Sequence, residues 1–231
     1  MISKDLRKYL ISQKRDIIRA FNDPASYPIA VISPEESSRN ILNCRWDWDP
    51  HVRKEKSAFI REIDGRKEYW IAVSEKRLYR TWFKKFIERE FNVAFNSIPS
   101  TLHADHLFSK AVAEEAGIKY VRMAFVWQRY NTVAGWATEK GFKDYVENEI
   151  GKKGKYLFDY SIIFKPIGIV PPKSKKELNL NILDYARKIS NRTGGNSQLV
   201  LDGLRMFFDD TWWPIFPDQA KIRKAEFRNN R

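Results

Sequence analysis

Residues 58–74 read AFIREIDGRKEYWIAVS, and this stretch decides the fold class. Two runs rich in β-branched and aromatic residues flank Asp64-Gly65. That pair suits a tight hairpin turn, whose central positions require positive φ. Phe59, Arg61 and Ile63 alternate with Ile60 and Glu62 before the turn, and Tyr69, Ile71 and Val73 share one face after it. Successive strand side chains point to opposite faces, so the spacing predicts two antiparallel strands.

Outward from the hairpin the periodicity turns helical. From a cap at Ser74 to about Phe91, residues Tyr79, Trp82, Phe83, Phe86 and Ile87 make one apolar face. A second helix is predicted over 3–21, capped by Ser3, with a broken stripe of Leu6, Leu10, Ile17, Ile18 and Phe21. Tyr27 to Ile32 reads as a short strand, and Ser33-Pro34-Glu35-Glu36 as a helix start. Residues 44–56 read as a loop and 92–105 as a polar loop. Leu107 to Ala116 then reads as a short helix stopped by Gly117, and Ile118 to Val126 as a buried strand. A turn-rich connection over 128–135, a helix over 138–150, a strand over 156–164, a linker over 166–176 and a helix from Ser174 to about Asn191 follow. The fold class is therefore α+β, mixed helices with short antiparallel strands. The expected organisation is an N-terminal α/β region over 1–97 packed on the core, a centre over 98–165, and a helical, aromatic-rich C-terminal region over 173–231.

The chain has 231 residues, 14% of them aromatic, which excludes a disordered chain and provides a large core. No apolar run is long enough for a membrane span, and residues 1–20 have no continuous apolar stretch of the secretory kind. The single Cys44 fits a reducing, cytoplasmic compartment, with export by a route that needs no cleaved signal peptide left open. Net charge is +13, and the excess is spread: residues 1–100 hold 20 basic and 14 acidic groups, the remainder 22 and 15. A basic folded surface of this kind attracts phosphates, which points first to nucleic acid, then to an acidic protein, and last to anionic lipid headgroups.

Three histidines occur in the chain, and two of them stand in the segment TLHADH at 101–106 with Asp105 between them. Imidazole and carboxylate bind divalent ions and move protons near neutral pH. In an extended segment His103 and Asp105 point one way, with His106 at the turn. Zinc would take two or three such ligands, and magnesium would take Asp105 with water and substrate phosphate. The blander alternative is that Asp105 caps the backbone N–H groups of residues 107 and 108.

Asp105-His106-Leu107-Phe108-Ser109, then an amphipathic segment, then Gly117-Ile118-Lys119-Tyr120-Val121-Arg122, then Asn131 before Gly135, resembles the His-Me finger (HNH) nucleases. The similarity is to the variants found as C-terminal domains of bacterial polymorphic toxins, and it covers about residues 98–150. The resemblance implies a ββα-metal-like centre in which an Asp-His pair ends the first strand of a β-hairpin. It implies His106 as general base, Asp105 as ligand of one divalent ion (Mg²⁺ or Zn²⁺) and Asn131 as the residue that orients the base. No histidine follows His106, so Glu139 is the acid placed to complete the metal site. His103 is a third member, as ligand, substrate contact or turn residue. Arg122, Arg129 and Lys140 either clamp the phosphate or are ordinary surface charges, and Lys76, Arg80 and Lys84, four residues apart, form either a phosphate-contacting ridge or a solvated helix surface. Trp127 and Tyr130, next to Arg129, would stack on unpaired bases, with core packing the alternative for Trp127.

The expectation is a metal-dependent nuclease of toxin type acting on DNA or RNA, with an acidic immunity protein as its partner. Two alternatives stand beside it. One is a non-catalytic basic protein that binds nucleic acid. The other is an effector acting through the aromatic patch around Trp212 and Trp213. No glycine-rich phosphate loop, dinucleotide fingerprint or Gly-x-Ser-x-Gly elbow is present.

Overall fold

A computed structural model of the chain describes residues 2–19, 27–134, 155–156, 164–170, 172 and 175–209. The chain runs through α1 (Lys4–Arg19), β1 (Ala30–Val31), α2 (Pro34–Ser38), β2 (Cys44–Trp48), β3 (Ala58–Ile63), β4 (Arg66–Ala72) and α3 (Tyr79–Phe91). After a 3-10 turn at Phe95–Ser97 come β5 (Leu102–His106), α4 (Lys110–Glu115), β6 (Tyr120–Trp127) and α5 (Gln128–Ala134). Then follow β7 (Lys155–Tyr156), α6 (Phe164–Ile167), α7 (Lys175–Thr193) and α8 (Ser197–Asp209). The fold is α+β.

The hairpin of residues 58–74 forms as its sequence predicts. Asp64 and Gly65 both take positive φ, +48° and +73°, which matches the twist of the flanking strands. Ile63 pairs with Arg66 across that turn. The antiparallel sheet has the order β2-β3-β4-β6-β1-β7, and β5 joins it by pairing with β6. The long strand β6 is shared: residues 120–122 pair with β4, and residues 123–127 pair with β5.

The two faces of this sheet are buried differently. One carries the main core, which draws Leu6 and Ile17 from α1, Phe83 and Phe86 from α3, and Phe125 from β6. Leu178 and Ile189 from α7 and Leu204 from α8 join the same core. All three expected regions therefore contribute to one interior. The other face holds Val31, Phe59, Trp70, Ala72 and Tyr120, with Trp46 and Trp48 packed over them. Phe59 and Trp70 stack there with centroids 5.4 Å apart.

Inside this layer Arg61 and Glu68 face each other across β3 and β4. Glu68 Oε2 accepts from Arg61 Nε at 2.7 Å, and Glu68 Oε1 lies 3.0 Å from Arg122 Nη1. Burial alone would raise the Glu68 carboxyl, but the Arg122 and Arg61 guanidiniums hold it below the usual range. Arg61 Nη1 also donates to Ser37 O at 2.6 Å, which ties α2 to the sheet.

Several local expectations change. Residues 44–48 are a strand, because Trp46 and Trp48 alternate with the exposed Arg45 and Asp47 and cover the aromatic face. Residues 102–106 are a strand, since Leu102, Ala104 and His106 all turn inward. Residues 128–134 are helical, and the region expected as a linker lies partly in α6 and α7. The helix α3 begins at Tyr79, five residues later than Ser74, because the Glu75 carboxylate instead accepts the N–H groups of Arg77 and Leu78. It ends at Asn92, which takes the left-handed conformation (φ +55°) that asparagine tolerates. Ser3 caps α1 as expected, its Oγ accepting the Leu6 N–H at 3.2 Å.

Deeper in α1, Gln13 reaches the sheet. Its side-chain amide donates to Phe125 O at 2.9 Å and accepts from Phe125 N at 2.8 Å. A buried amide satisfied at both ends fixes the helix on β6 at one register. Among the described residues no helix is long and apolar enough to cross a membrane.

Candidate active site

The strand β5 sets the geometry of TLHADH. Pairing runs from Leu102 opposite Trp127 to His106 opposite Met123, so Asp105 and His106 stand at the end of the strand. Alternation places His103 and Asp105, both half-buried, on one face, and His106 on the inner face at 7% exposure. The Leu107 N–H does not go to Asp105. It donates to Arg122 O at 2.8 Å and continues the ladder, so Asp105 does not cap that group.

The Asp105 carboxylate is engaged on both oxygens. Oδ2 lies 2.8 Å from Lys165 Nζ, and Oδ1 lies 3.5 Å from His106 Nδ1, at the outer limit of a hydrogen bond. Lys165 is itself buried, and its Nζ also donates to His106 O at 3.3 Å. Burial would raise the Asp105 carboxyl, but His106 and the Lys165 ammonium outweigh it and hold Asp105 well below the usual carboxylate range. It is therefore an anion at neutral pH.

His106 is shifted the other way from most histidines beside a carboxylate. Burial pushes its pKa down, and the nearby Lys110 and Lys165 add to this, while Asp105 pulls upward without compensating. The ring is therefore neutral at neutral pH. With Nδ1 turned to the carboxylate, the proton belongs on Nδ1 and the lone pair on Nε2. Among the described residues, Nε2 is buried and has no hydrogen-bond partner. Buried polar atoms are nearly always satisfied, so an orphaned imidazole nitrogen marks a site that something else completes.

The lip of the site is cationic. The half-buried Tyr79 ring lies on the imidazole, centroids 4.5 Å apart. The Arg80 guanidinium sits 5.4 Å and the Lys110 ammonium 5.2 Å from the same Tyr79 ring. Burial lowers the Lys110 pKa against the opposing Glu75 and Glu114 carboxylates, with Lys76 adding to the fall, and the ammonium also donates to Glu75 O. Of the expected ridge, Arg80 thus flanks Tyr79, while Lys76, which precedes α3, lies near enough to Lys110 to act on it electrostatically. Lys84 turns away to the Phe95 ring, at 5.4 Å.

Other expected site residues are placed differently. Arg122 does not clamp a phosphate: it is buried against Glu68, because its position in β6 faces the Arg61–Glu68 pair. Asn131 stands half-buried on α5, directly after β6, and among the described residues it makes no hydrogen bond to His106. Arg129 is exposed at the start of α5. Tyr130 is buried, so it offers no face to a base. Glu139 and Lys140, with Trp212 and Trp213, lie outside the described residues.

Toward a divalent ion the described residues offer Asp105 and His106, and Glu139, expected to complete the site, lies outside them. Among them no group of three His, Cys, Asp or Glu side chains could hold one. The carboxylate expected as ligand already carries the Lys165 ammonium, which supplies the positive charge on Asp105. Lys165, Lys110 and Tyr79 were missed in the sequence. Lys165 comes from a distant segment with no local signal, whereas Tyr79 was visible only as a member of an apolar stripe.

Comparison with family models, with curated proteins and with solved structures returns no match for this chain.

Proposed function

We propose that the protein is a nuclease that hydrolyses phosphodiester bonds, with His106 as the general base. The observation that carries this reading is the His106 ring: neutral, fixed through Nδ1 by a carboxylate, and left with a buried, unpartnered Nε2. An imidazole held this way is preorganised to take a proton. The surrounding order also supports it. Strand β5 ends in Asp105-His106, the short helix α4 and antiparallel β6 follow, and α5 carrying Asn131 comes next.

In this reaction a water oxygen attacks phosphorus while His106 Nε2 takes its proton. The bond to the leaving oxygen breaks, and that oxygen is protonated from solvent. The imidazolium is stabilised by Asp105, which Lys165 holds in place. Lys76, Arg80 and Lys110 draw the phosphate to the rim. Tyr79 is the half-exposed group packed on the imidazole, and this reading requires it to move aside for substrate. The basic surface and the toxin resemblance make an acidic immunity protein the partner that goes with this reading.

The test is cleavage of labelled single-stranded and duplex DNA and RNA by the full chain and by His106→Ala. Loss of a positioned base lowers the rate by about 10²-fold or more. The thermal melt of the variant checks its fold. Cleavage at the parental rate by folded His106→Ala refutes the assignment.

A further inference from the structure

The structure contains a second basic constellation, away from Asp105 and His106. An open groove of about 760 Å³ lies where α1, α5, the segment after α6 and α7 meet. Lys14, Arg129 and Arg192 line it, along with Trp127 and the Tyr130 ring. That volume falls within the range of small-molecule sites. Among the described residues no carboxylate lines the groove, and none is paired with these three cations.

The cations are held close together by the fold. The Arg129 guanidinium sits 4.4 Å and the Arg192 guanidinium 5.9 Å from the centroid of the Tyr130 ring. Burial lowers the Lys14 pKa, and the proximity of Arg192 lowers it further. Gly168 makes the cluster possible. It has φ +79°, and a Cβ there would come 3.0 Å from the Tyr130 ring and 3.4 Å from Arg192 Nη1. Like charges gathered with no countercharge among the described residues repel one another, so the arrangement favours an anionic occupant.

We infer that this groove is a subsite for single-stranded nucleic acid, with backbone phosphates on Lys14, Arg129 and Arg192 and a base against Trp127. This inference rests on the nuclease reading for its connection to catalysis, but not for its binding chemistry. Trp127 is half-exposed at the groove, so its indole can receive an unpaired base. A duplex keeps its bases paired and stacked and cannot offer one. The groove begins at the Leu102–Trp127 end of the β5–β6 hairpin. His106 lies four residues along that strand, about 13 Å away. The inner face between them is filled by Ala104 and Phe125, so the groove holds the strand apart from the imidazole.

The experiment uses fluorescence anisotropy with a short labelled single strand and the duplex of the same length. It is run on the full chain carrying His106→Ala, and on that chain with Arg129→Ala and Arg192→Ala added. A gel of the recovered probe shows whether it stayed intact. The single strand binds at least about tenfold tighter than the duplex. The two arginine substitutions lower single-strand affinity at least about tenfold. They also reduce the slope of log affinity against log salt by about 1.4, since each single-strand phosphate contact contributes about 0.7. Both arginines are exposed, and a thermal melt confirms that the variant is folded. Trp127→Phe keeps most of the single-strand affinity, whereas Trp127→Ala loses about 5-fold or more.

Unchanged affinity and slope in the arginine variant overturn the subsite, and so does equal loss for strand and duplex. Probe cleavage at the parental rate by folded His106→Ala, with arginine-dependent strand binding intact, refutes only His106 as the general base. Loss of cleavage on His106→Ala, with strand binding indifferent to the arginines, refutes the groove alone.

Discussion

Replacing Lys165 by Met tests the centre of the site most directly. The ammonium and the Asp105 carboxylate are 2.8 Å apart, with side-chain exposures of 4% and 16%. Breaking a buried ion pair by removing one partner costs about 3–5 kcal/mol, because the remaining charge stays buried. Asp105 keeps some contact with water, so the lower end, about 3 kcal/mol, applies. For a cooperative unit of this chain length the unfolding entropy is about 0.5 kcal/mol/K, which converts the loss into a fall in Tm of about 6 °C. The assay is thermal unfolding of the parent, Lys165→Met, Asp105→Asn and the double variant. The cycle isolates the pair from the other contacts of Lys165, and a coupling of about 2 kcal/mol is expected.

The pH dependence of that loss has a definite sign. The folded Asp105 carboxyl lies below its unfolded value, so the stability it contributes is present above about pH 4 and is lost as pH falls further. The gap between parent and Lys165→Met therefore narrows in acid. Additive single effects, or a Tm change under about 1 °C, would refute the reasoning and leave the carboxylate free for another cation.

Two further outcomes follow from the same geometry. Because burial lowers the His106 pKa, with Lys110 and Lys165 adding to the effect against Asp105, the acid limb of a cleavage-rate profile should have its midpoint below the ordinary histidine value of about 6.5. A limb centred above that value would contradict the buried neutral imidazole. Glu68→Ala leaves Arg61 and Arg122 buried without the carboxylate between them, and a loss of about 3–5 kcal/mol in urea unfolding is expected. A loss under about 1 kcal/mol would show that the pair contributes no more than a surface salt bridge.

The parts legible in the sequence were those encoded locally. Asp64-Gly65 specified a turn, flanking alternation specified two strands, and the stripes of α1 and α3 specified helices because each period sits within one short window. The Asp-His segment stood out because histidine is rare in this chain. Cys44 to Trp48 was misread because its charges suggested a loop, although Trp46 and Trp48 kept the two-residue period of a strand. Arg122 was misassigned for a different reason. Its partner Glu68 is set by the pairing of β6 with β4, which no local pattern announces. The same holds for Lys165, whose place beside Asp105 depends on how α6 docks, and for Arg192, which reaches Tyr130 from a helix far along the chain.

The Gln13–Phe125 contact has a consequence for self-association. One side-chain amide occupies both backbone groups that Phe125 would otherwise offer to another strand. The N-terminal helix thus acts as a molecular cap on β6, blocking the kind of edge pairing that leads to aggregation. Undocking of that helix, 112 residues away in sequence, would expose a pairing edge next to the candidate catalytic hairpin.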